Sequence, residues 1–258
     1  MKVITLIENT STTPNLSSEH GLSLYIETQE KKILFDMGQS ELFAKNANSL
    51  GIDLSKVDYA IVSHGHYDHG GGLKHFLQTN KKATIFLQQK AFEKHYNNFG
   101  NSIGLDETLQ NNNRIVFVED YLEITSGIEL FSCNNQPPFL QKQPSGSIQS
   151  DNFYHEIYLR VNETKSTVFS GCSHKNIVNI VHWLKPQILV GGFHFKGIDC
   201  ITQQGELNFW AEQLNTCIKD FGTEFYTCHC TGILQYQLLK NKLGSKLNYI
   251  ATGSTLCL

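Results

Sequence analysis

Three histidines and an aspartate fall within six residues in Ile61-Val-Ser-His64-Gly-His66-Tyr-Asp68-His69-Gly-Gly-Gly72. Neutral imidazole nitrogens and a carboxylate are good ligands for Zn²⁺ and its neighbours, at about 2.0–2.2 Å. A β-run ending in a loop sends residues two apart to the same side, so His64 and His66 can grip one ion. Asp68 and His69 then turn toward a second position. Gly65 and Gly70–Gly72 let the backbone bend around an ion without Cβ clashes. A polar loop with its histidines in solvent is the plainer alternative, and it is a poor description of four ligand-type side chains beside four glycines. Two cations held in this way would lower the pKa of a bridging water and polarise a carbonyl or phosphoryl oxygen. Asp68 would hold one of them and accept a hydrogen bond from the water. The Gly70–Gly72 run lacks the spacing of a dinucleotide loop and a following Lys-Ser/Thr, so a nucleotide P-loop is not expected, although the run could cradle a substrate phosphate.

The elements that must position these residues can be read from pattern. Strands are expected at 2–7, 22–27 and 33–35, the last two joined by a turn at Thr28-Gln29-Glu30-Lys31. Residues 40–49 read as a helix with Ser40 as a possible N-cap, and 58–63 as the buried strand that feeds the histidine loop. A helix near 72–78 and a strand at 83–87 follow, then an Asn- and Gly-rich stretch at 97–113 that reads as a loop or lid. Strands at 114–118, 121–125 and 128–132 precede an irregular segment, 133–150, which holds three of the five prolines. The second half reads as strands at 155–161 and 166–170, helix 175–184, strand 187–191, helix 206–219, strand 224–228 and helix 232–242. Two sheet-bearing halves with helices outside are the expected arrangement, as one domain over residues 1–258.

Composition narrows the class. With 258 residues, 40% hydrophobic and 17% charged, the chain is globular rather than disordered or fibrous. No window approaches a membrane span, and the first residues read as a strand rather than a signal peptide. A net charge of −3 argues against a broad nucleic-acid footprint. Seven cysteines without a CxxC pair read as reduced thiols in a cytoplasmic protein.

The segment Ile33-Leu-Phe-Asp36-Met-Gly38, followed by His64-Gly-His66-Tyr-Asp68-His69-Gly, resembles the metallo-β-lactamase superfamily. That resemblance implies a four-layer αβ/βα sandwich, an α/β fold of two facing mixed sheets with helices outside and a metal centre at one edge between the sheets. It implies metal-activated water as the usual nucleophile and a supporting role for Asp36 behind the histidine loop. Glu19-His20-Gly-Leu-Ser23, Gly171-Cys172-Ser-His174, Gly191-Gly192-Phe-His194 and His229-Cys230-Thr-Gly232 resemble one branch, that of metal-dependent hydrolases and dihydropterin–ribofuranosylaminobenzene-phosphate synthases.

Carried over residue by residue, the resemblance departs from the superfamily pattern in two places. The mid-chain histidine expected after Gly127–Ser132 is missing, and Cys133-Asn134-Asn135 stands there. The bridging aspartate is replaced by Val168-Phe-Ser-Gly-Cys172-Ser-His174, so that Cys172 is a ligand or His174 reaches in for the missing histidine. His229 fits the last ligand. The metal set is therefore His64, His66, Asp68, His69, His174, His229 and Cys172, for two Zn²⁺ sites with Mn²⁺ or Fe²⁺ as alternatives. His20 and His194, each beside a glycine at a strand end, join Asp68 as candidates for contacting substrate or moving a proton. His75, His95, His155 and His182 have no ligand-like partners in the sequence and are assigned to surface or core.

The expected activity is a binuclear metal-dependent hydrolase acting on an ester, lactone or phosphoester. The alternative is a metal-dependent transferase or synthase on a dihydropterin-type substrate, which would need a deep pocket with aromatic walls from Tyr67, Phe99, Phe193 and the 97–113 segment. The partner in either case is a small molecule, phosphorylated or pterin-like. Neither nucleic acid nor membrane is expected, and the oligomeric state is left open.

Overall fold

The computed structural model describes residues 1–148 and 150–258; of the irregular segment 133–150, Gln149 lies outside the described residues. Six strands of the first half are β1 (Lys2–Ile7), β2 (Ser23–Glu27), β3 (Lys32–Phe35), β4 (Tyr59–Ile61), β5 (Thr84–Leu87) and β6 (Ile115–Phe117). Seven of the second are β7 (Tyr121–Thr125), β8 (Ile128–Phe131), β9 (Tyr158–Asn162), β10 (Ser166–Ser170), β11 (Ile188–Gly191), β12 (Glu224–Thr227) and β13 (Leu247–Tyr249). A last strand, β14 (Thr255–Cys257), crosses back and pairs antiparallel with β1. The two sheets run β14-β1-β2-β3-β4-β5-β6 and β13-β12-β11-β10-β9-β8-β7, seven strands each. Both are mixed: β3 to β6 and β10 to β13 are parallel, and the other pairs are antiparallel.

Side-chain alternation explains the layers. In β3, Ile33 and Phe35 point into the space between the sheets, and Leu34 points out under helices α1 (Leu42–Ser49) and α3 (Leu73–Thr79). The four-residue helix α2 (Tyr67–Gly70) lies between those two in the chain. In the second sheet, Leu159, Phe169, Ile188 and Val190 face inward, while Tyr158, Val168, Leu189 and Phe225 face a second helical layer. That layer is α4 (Ile177–Leu184), α5 (Gln204–Phe221) and α6 (Ile233–Leu243), centred on the fully buried Trp210. Strands covered on both faces must be apolar at nearly every position, which is why they read as runs in the sequence. Each fully buried Phe or Ile contributes about 1.5–3 kcal/mol, so three such layers hold the sandwich without disulfides; all seven cysteines are free.

The expected fold is the observed one, with small corrections. β13 and β14 were not expected. Ser40 is not the formal N-cap of α1, a position taken by Glu41 without a side-chain bond, but its Oγ accepts from Leu42 N at 3.1 Å. The Thr28–Lys31 turn is present, with Thr28 N donating to Lys31 O at 2.9 Å.

One glycine of the histidine loop is enforced by space. A Cβ at Gly72 would meet Met37 O at 2.3 Å, Phe43 Cε1 at 2.7 Å and Ser40 O at 2.8 Å, two of them rigid backbone atoms. Gly72→Ala is therefore expected to destabilise the protein by about 2–3 kcal/mol in urea unfolding. Gly205→Ala, where a Cβ meets nothing within 4 Å, is expected to stabilise α5 by about 0.5–1 kcal/mol. Equal effects at the two positions would refute the packing argument.

Candidate metal centre

The C-terminal ends of β4, β10, β11 and β12 lie at one edge of the sandwich, and the loops leaving them carry nearly every singled-out residue. The tight reversals after β3, β10, β11 and β12 need unusual backbone: Asp36, Ser173, His194 and His229 have φ of 59°, 56°, 59° and 51° without being glycine. Left-handed residues that are not glycine cost roughly 1–2 kcal/mol each and persist where surroundings over-determine them.

Here buried acceptors supply constraint, two at the His64 loop and one at each of the His174 and His229 turns. Asp36 Oδ1 accepts from Ser63 N at 2.7 Å, and His155 Nδ1 accepts from Gly65 N at 2.8 Å. Glu156 Oε1 accepts from His174 N at 2.9 Å, and Glu8 Oε1 accepts from His229 N at 2.7 Å. Both glutamates are fully buried. Each fixes the backbone of a histidine rather than its ring.

A second set of bonds fixes the rings. His64 Nδ1 donates to Ser63 Oγ at 2.8 Å, which itself donates to Asp36 Oδ2 at 2.8 Å. His69 Nδ1 donates to the same Asp36 Oδ2 at 2.7 Å, and His229 Nδ1 donates to Asn9 Oδ1 at 2.8 Å. An imidazole that donates at Nδ1 presents a lone pair at Nε2 when neutral. The three Nε2 atoms are turned into one crowded space: His64 Nε2 lies 3.1 Å from His66 Nδ1, and His69 Nε2 lies 3.2 Å from His229 Nε2. Cys172 Sγ stands 3.2 Å from His69 Nε2. Asp68 Oδ2 lies 3.2 Å from His229 Nε2, 3.2 Å from His20 Nε2 and 3.7 Å from His69 Nε2.

The donor chemistry fits divalent cations. Among the described residues, His66 Nε2 and His174 Nε2 are buried and find no hydrogen-bond partner. Two groups of donor atoms lie within 4.8 Å of one another, His64–Cys172–His174 and His69–Cys172–His229, and they share the thiol. A third, His20–Asp68–His229, adjoins the second. Burial, with repulsion from neighbouring imidazoles, pushes His64 and His174 well below the usual histidine range, so these rings are neutral and ligand-ready. Burial likewise lowers His66 against the pull of Asp68. Burial disfavours charge on His69, but Asp36 and Asp68 outweigh it and raise its pKa to about 9. The extra positive charge that these carboxylates call for at His69 is what a cation beside Nε2 would supply. Burial would raise Asp68, yet His69, with bonds from His20 and His229, holds it well below the carboxylate range. Burial and the neighbouring Cys230 push the Cys172 thiol well up; an adjacent cation reverses that preference.

A cavity of about 390 Å³ opens on this edge, with His20, Asp68, Cys172, His174, His194 and His229 among its lining. His194 sits 4.4 Å, centroid to centroid, from the His174 ring, and burial with repulsion from His229 lowers its pKa to about 4. His20 is the most exposed of the set and lies 4.8 Å from the His229 ring.

Every sequence-derived site residue is thus gathered here, and Cys172 and His174 both reach the space, so the choice between them is not forced by geometry. Two expectations need correction. Phe193 is buried in the helical layer and Phe99 is exposed away from the cavity, so the aromatic walls reduce to Tyr67, with Asn97 and Ile103 from the 97–113 stretch. His95 and His155 do have partners: they are buried, lie 3.9 Å apart, and share Asp151 within reach of His66. His75 packs edge-on against Phe43, and His182 stacks on Phe139. Sequence reasoning also missed Glu8, Asn9, Ser63, Asp151 and Glu156. For Ser63 the signal was present, since it directly precedes His64 at a strand end.

The family model described as the metallo-beta-lactamase superfamily matches residues 19–129. A crystal structure of a metal-dependent hydrolase of the beta-lactamase superfamily superposes over 100% of this chain and 99% of its own, with a TM-score of 0.79 and 28% identity. Over residues 19–129 in sequence and over its whole length in fold, the chain is similar to metallo-β-lactamase superfamily proteins. Among similar proteins, an uncharacterized protein of Methanocaldococcus jannaschii is 27% identical over 245 residues, covering 88% of this chain and 89% of that protein. The 7,8-dihydropterin-6-methyl-4-(beta-D-ribofuranosyl)-aminobenzene-5'-phosphate synthase of the same organism is 29% identical over 248 residues, covering 83% and 82%. The second carries the name of the synthases that the Gly171–His174 and His229–Gly232 motifs resemble. Among the described residues, no helix is long and apolar enough to cross a membrane.

Proposed function

We propose that the chain is a binuclear metal-dependent hydrolase acting on a small ester, lactone or phosphoester. It would work as a single domain over residues 1–258, in a cytoplasm that keeps its thiols reduced. The observation that carries this reading is the set of three histidines whose Nδ1 atoms are tied down and whose Nε2 atoms converge beside Cys172 and Asp68. His64, His66 and His174 would hold one cation and Asp68, His69 and His229 the other, with Cys172 between them. Zn²⁺ suits these nitrogen and sulfur donors best, and Mn²⁺ or Fe²⁺ are the alternatives. When bound, such cations acidify a water and polarise the oxygen of a scissile carbonyl or phosphoryl group. Asp68 orients that water through its carboxylate. His194, neutral at pH 7 because burial lowers its pKa to about 4, can hydrogen-bond the substrate at the cavity wall. His20, at the mouth, touches the substrate.

A synthase on a dihydropterin-type substrate is the second reading, supported by the 29% identical relative of that name. The lining of imidazoles and aliphatic side chains, with one tyrosine, favours hydrolysis over the stacking of a planar ring. Protein expressed with metal supplementation is expected to carry about two cations per chain by elemental analysis, and less than about 0.2 would end the metal reading. Turnover of p-nitrophenyl esters or phosphodiesters against condensation of a pterin with an aminobenzene separates the two activities.

A further inference from the structure

Behind the histidine loop lies a buried polar cluster that none of the roles above uses. His155 Nδ1 accepts the Gly65 N–H at 2.8 Å, and Gly65 is the single residue between His64 and His66. An imidazole that accepts at Nδ1 must carry its proton at Nε2 when neutral. His155 Nε2 donates to Asp151 Oδ2 at 3.1 Å, so the carboxylate selects the tautomer that the loop needs. Asp151 is itself fixed by His95 Nδ1, donating to Oδ2 at 2.9 Å, and by Phe153 N, donating to Oδ1 at 2.7 Å. The opposite side of Gly65 is closed, since a Cβ there would meet Ala91 O at 2.5 Å and His95 Nε2 at 2.7 Å. The bend between the two histidines is thus gripped from both sides.

We propose that Asp151 and His155 are positioning residues: they hold the Gly65 bend, and so set the spacing of His64 and His66 for one cation and not the other. This rests on the metal reading above. An amide in place of the Asp151 carboxylate has nearly the same shape but turns a donor either on His155 Nε2 or on Phe153 N. In the first case His155 must move its proton to Nδ1, where it confronts the Gly65 N–H. Asparagine in place of His155 keeps an acceptor oxygen where Nδ1 stands, whereas leucine keeps none.

The test uses the full chain in two backgrounds and reads Zn²⁺ affinity by competition with a chromophoric chelator. His229→Ala leaves the cation position beside His64 and His66; His174→Ala leaves the one beside Asp68 and His69. In the His229→Ala background, Asp151→Asn and His155→Leu are expected to weaken binding by about tenfold or more, and His155→Asn to retain the affinity of its parent. In the His174→Ala background all three are expected to leave affinity unchanged. Equal losses in both backgrounds, no loss in either, or a loss for His155→Asn as large as for His155→Leu would each overturn the proposal. Parents that hold no Zn²⁺ in either background would remove the metal reading itself, a separate and recognisable failure.

Discussion

Asp68→Ala is expected to lower kcat/KM by at least about a thousandfold, the scale of several kcal/mol of lost charge stabilisation, and to remove one cation per chain. Among the described residues that line the cavity, Asp68 is the one that carries a carboxylate, with Oδ2 within 3.2 Å of both His20 and His229. No neighbouring acid can take its place: Asp36 is spent on Ser63 and His69, and Glu8 on the His229 backbone. His66→Ala is expected to act similarly on the other cation. Far-UV circular dichroism should be unchanged in both, because the apolar layers do not include either side chain. Activity that survives both substitutions would locate the chemistry elsewhere.

Asp36→Ala is expected to cost about 3–5 kcal/mol of stability, the range for stripping a buried charged network of one partner. For a chain of this size that is a fall in Tm of roughly 10 °C. Three donors lose their acceptor together, Ser63 N, Ser63 Oγ and His69 Nδ1, all in fully buried residues. The backbone adds to the loss, since Asp36 has φ 59°, a conformation that Asp tolerates better than Ala. Measuring Tm after chelator treatment isolates the network from any bound cation. A Tm equal to that of the parent would show that the network contributes nothing. Cation content should fall as well, because His69 loses the bond that fixes its ring.

Much of this architecture is legible in the sequence because its signals are local. The strand before His64, the glycines after His69 and the apolar runs of β9 to β12 each declare themselves within a few residues. β13 and β14 do not: each has three residues, and β14 is an edge strand whose partner, β1, lies at the other end of the chain. The same distance hides Glu8 and Asn9. Glu8 reads as the polar end of a strand, and nothing near it announces that its carboxylate meets an amide 221 positions away. His155 is 90 positions from the glycine it serves, so its sequence neighbourhood has no ligand-like pattern. The aromatic wall failed for the converse reason. Phe193 stands beside His194 in sequence, yet alternation turns it into the helical layer.

The bond between Glu8 and His229 also bears on the order in which the site can assemble. His229 follows β12 and its two anchors follow β1, so neither its backbone nor its ring is fixed until the sheets have come together. A nascent chain that has formed only strands β1 to β6 offers the donors of the loop after β4 without Cys172, His174 or His229, so neither of the two donor groups that share the thiol is complete. On the metal reading, acquisition would thereby wait until the sheets have closed, so that the completed cleft rather than a transient intermediate would select what enters it.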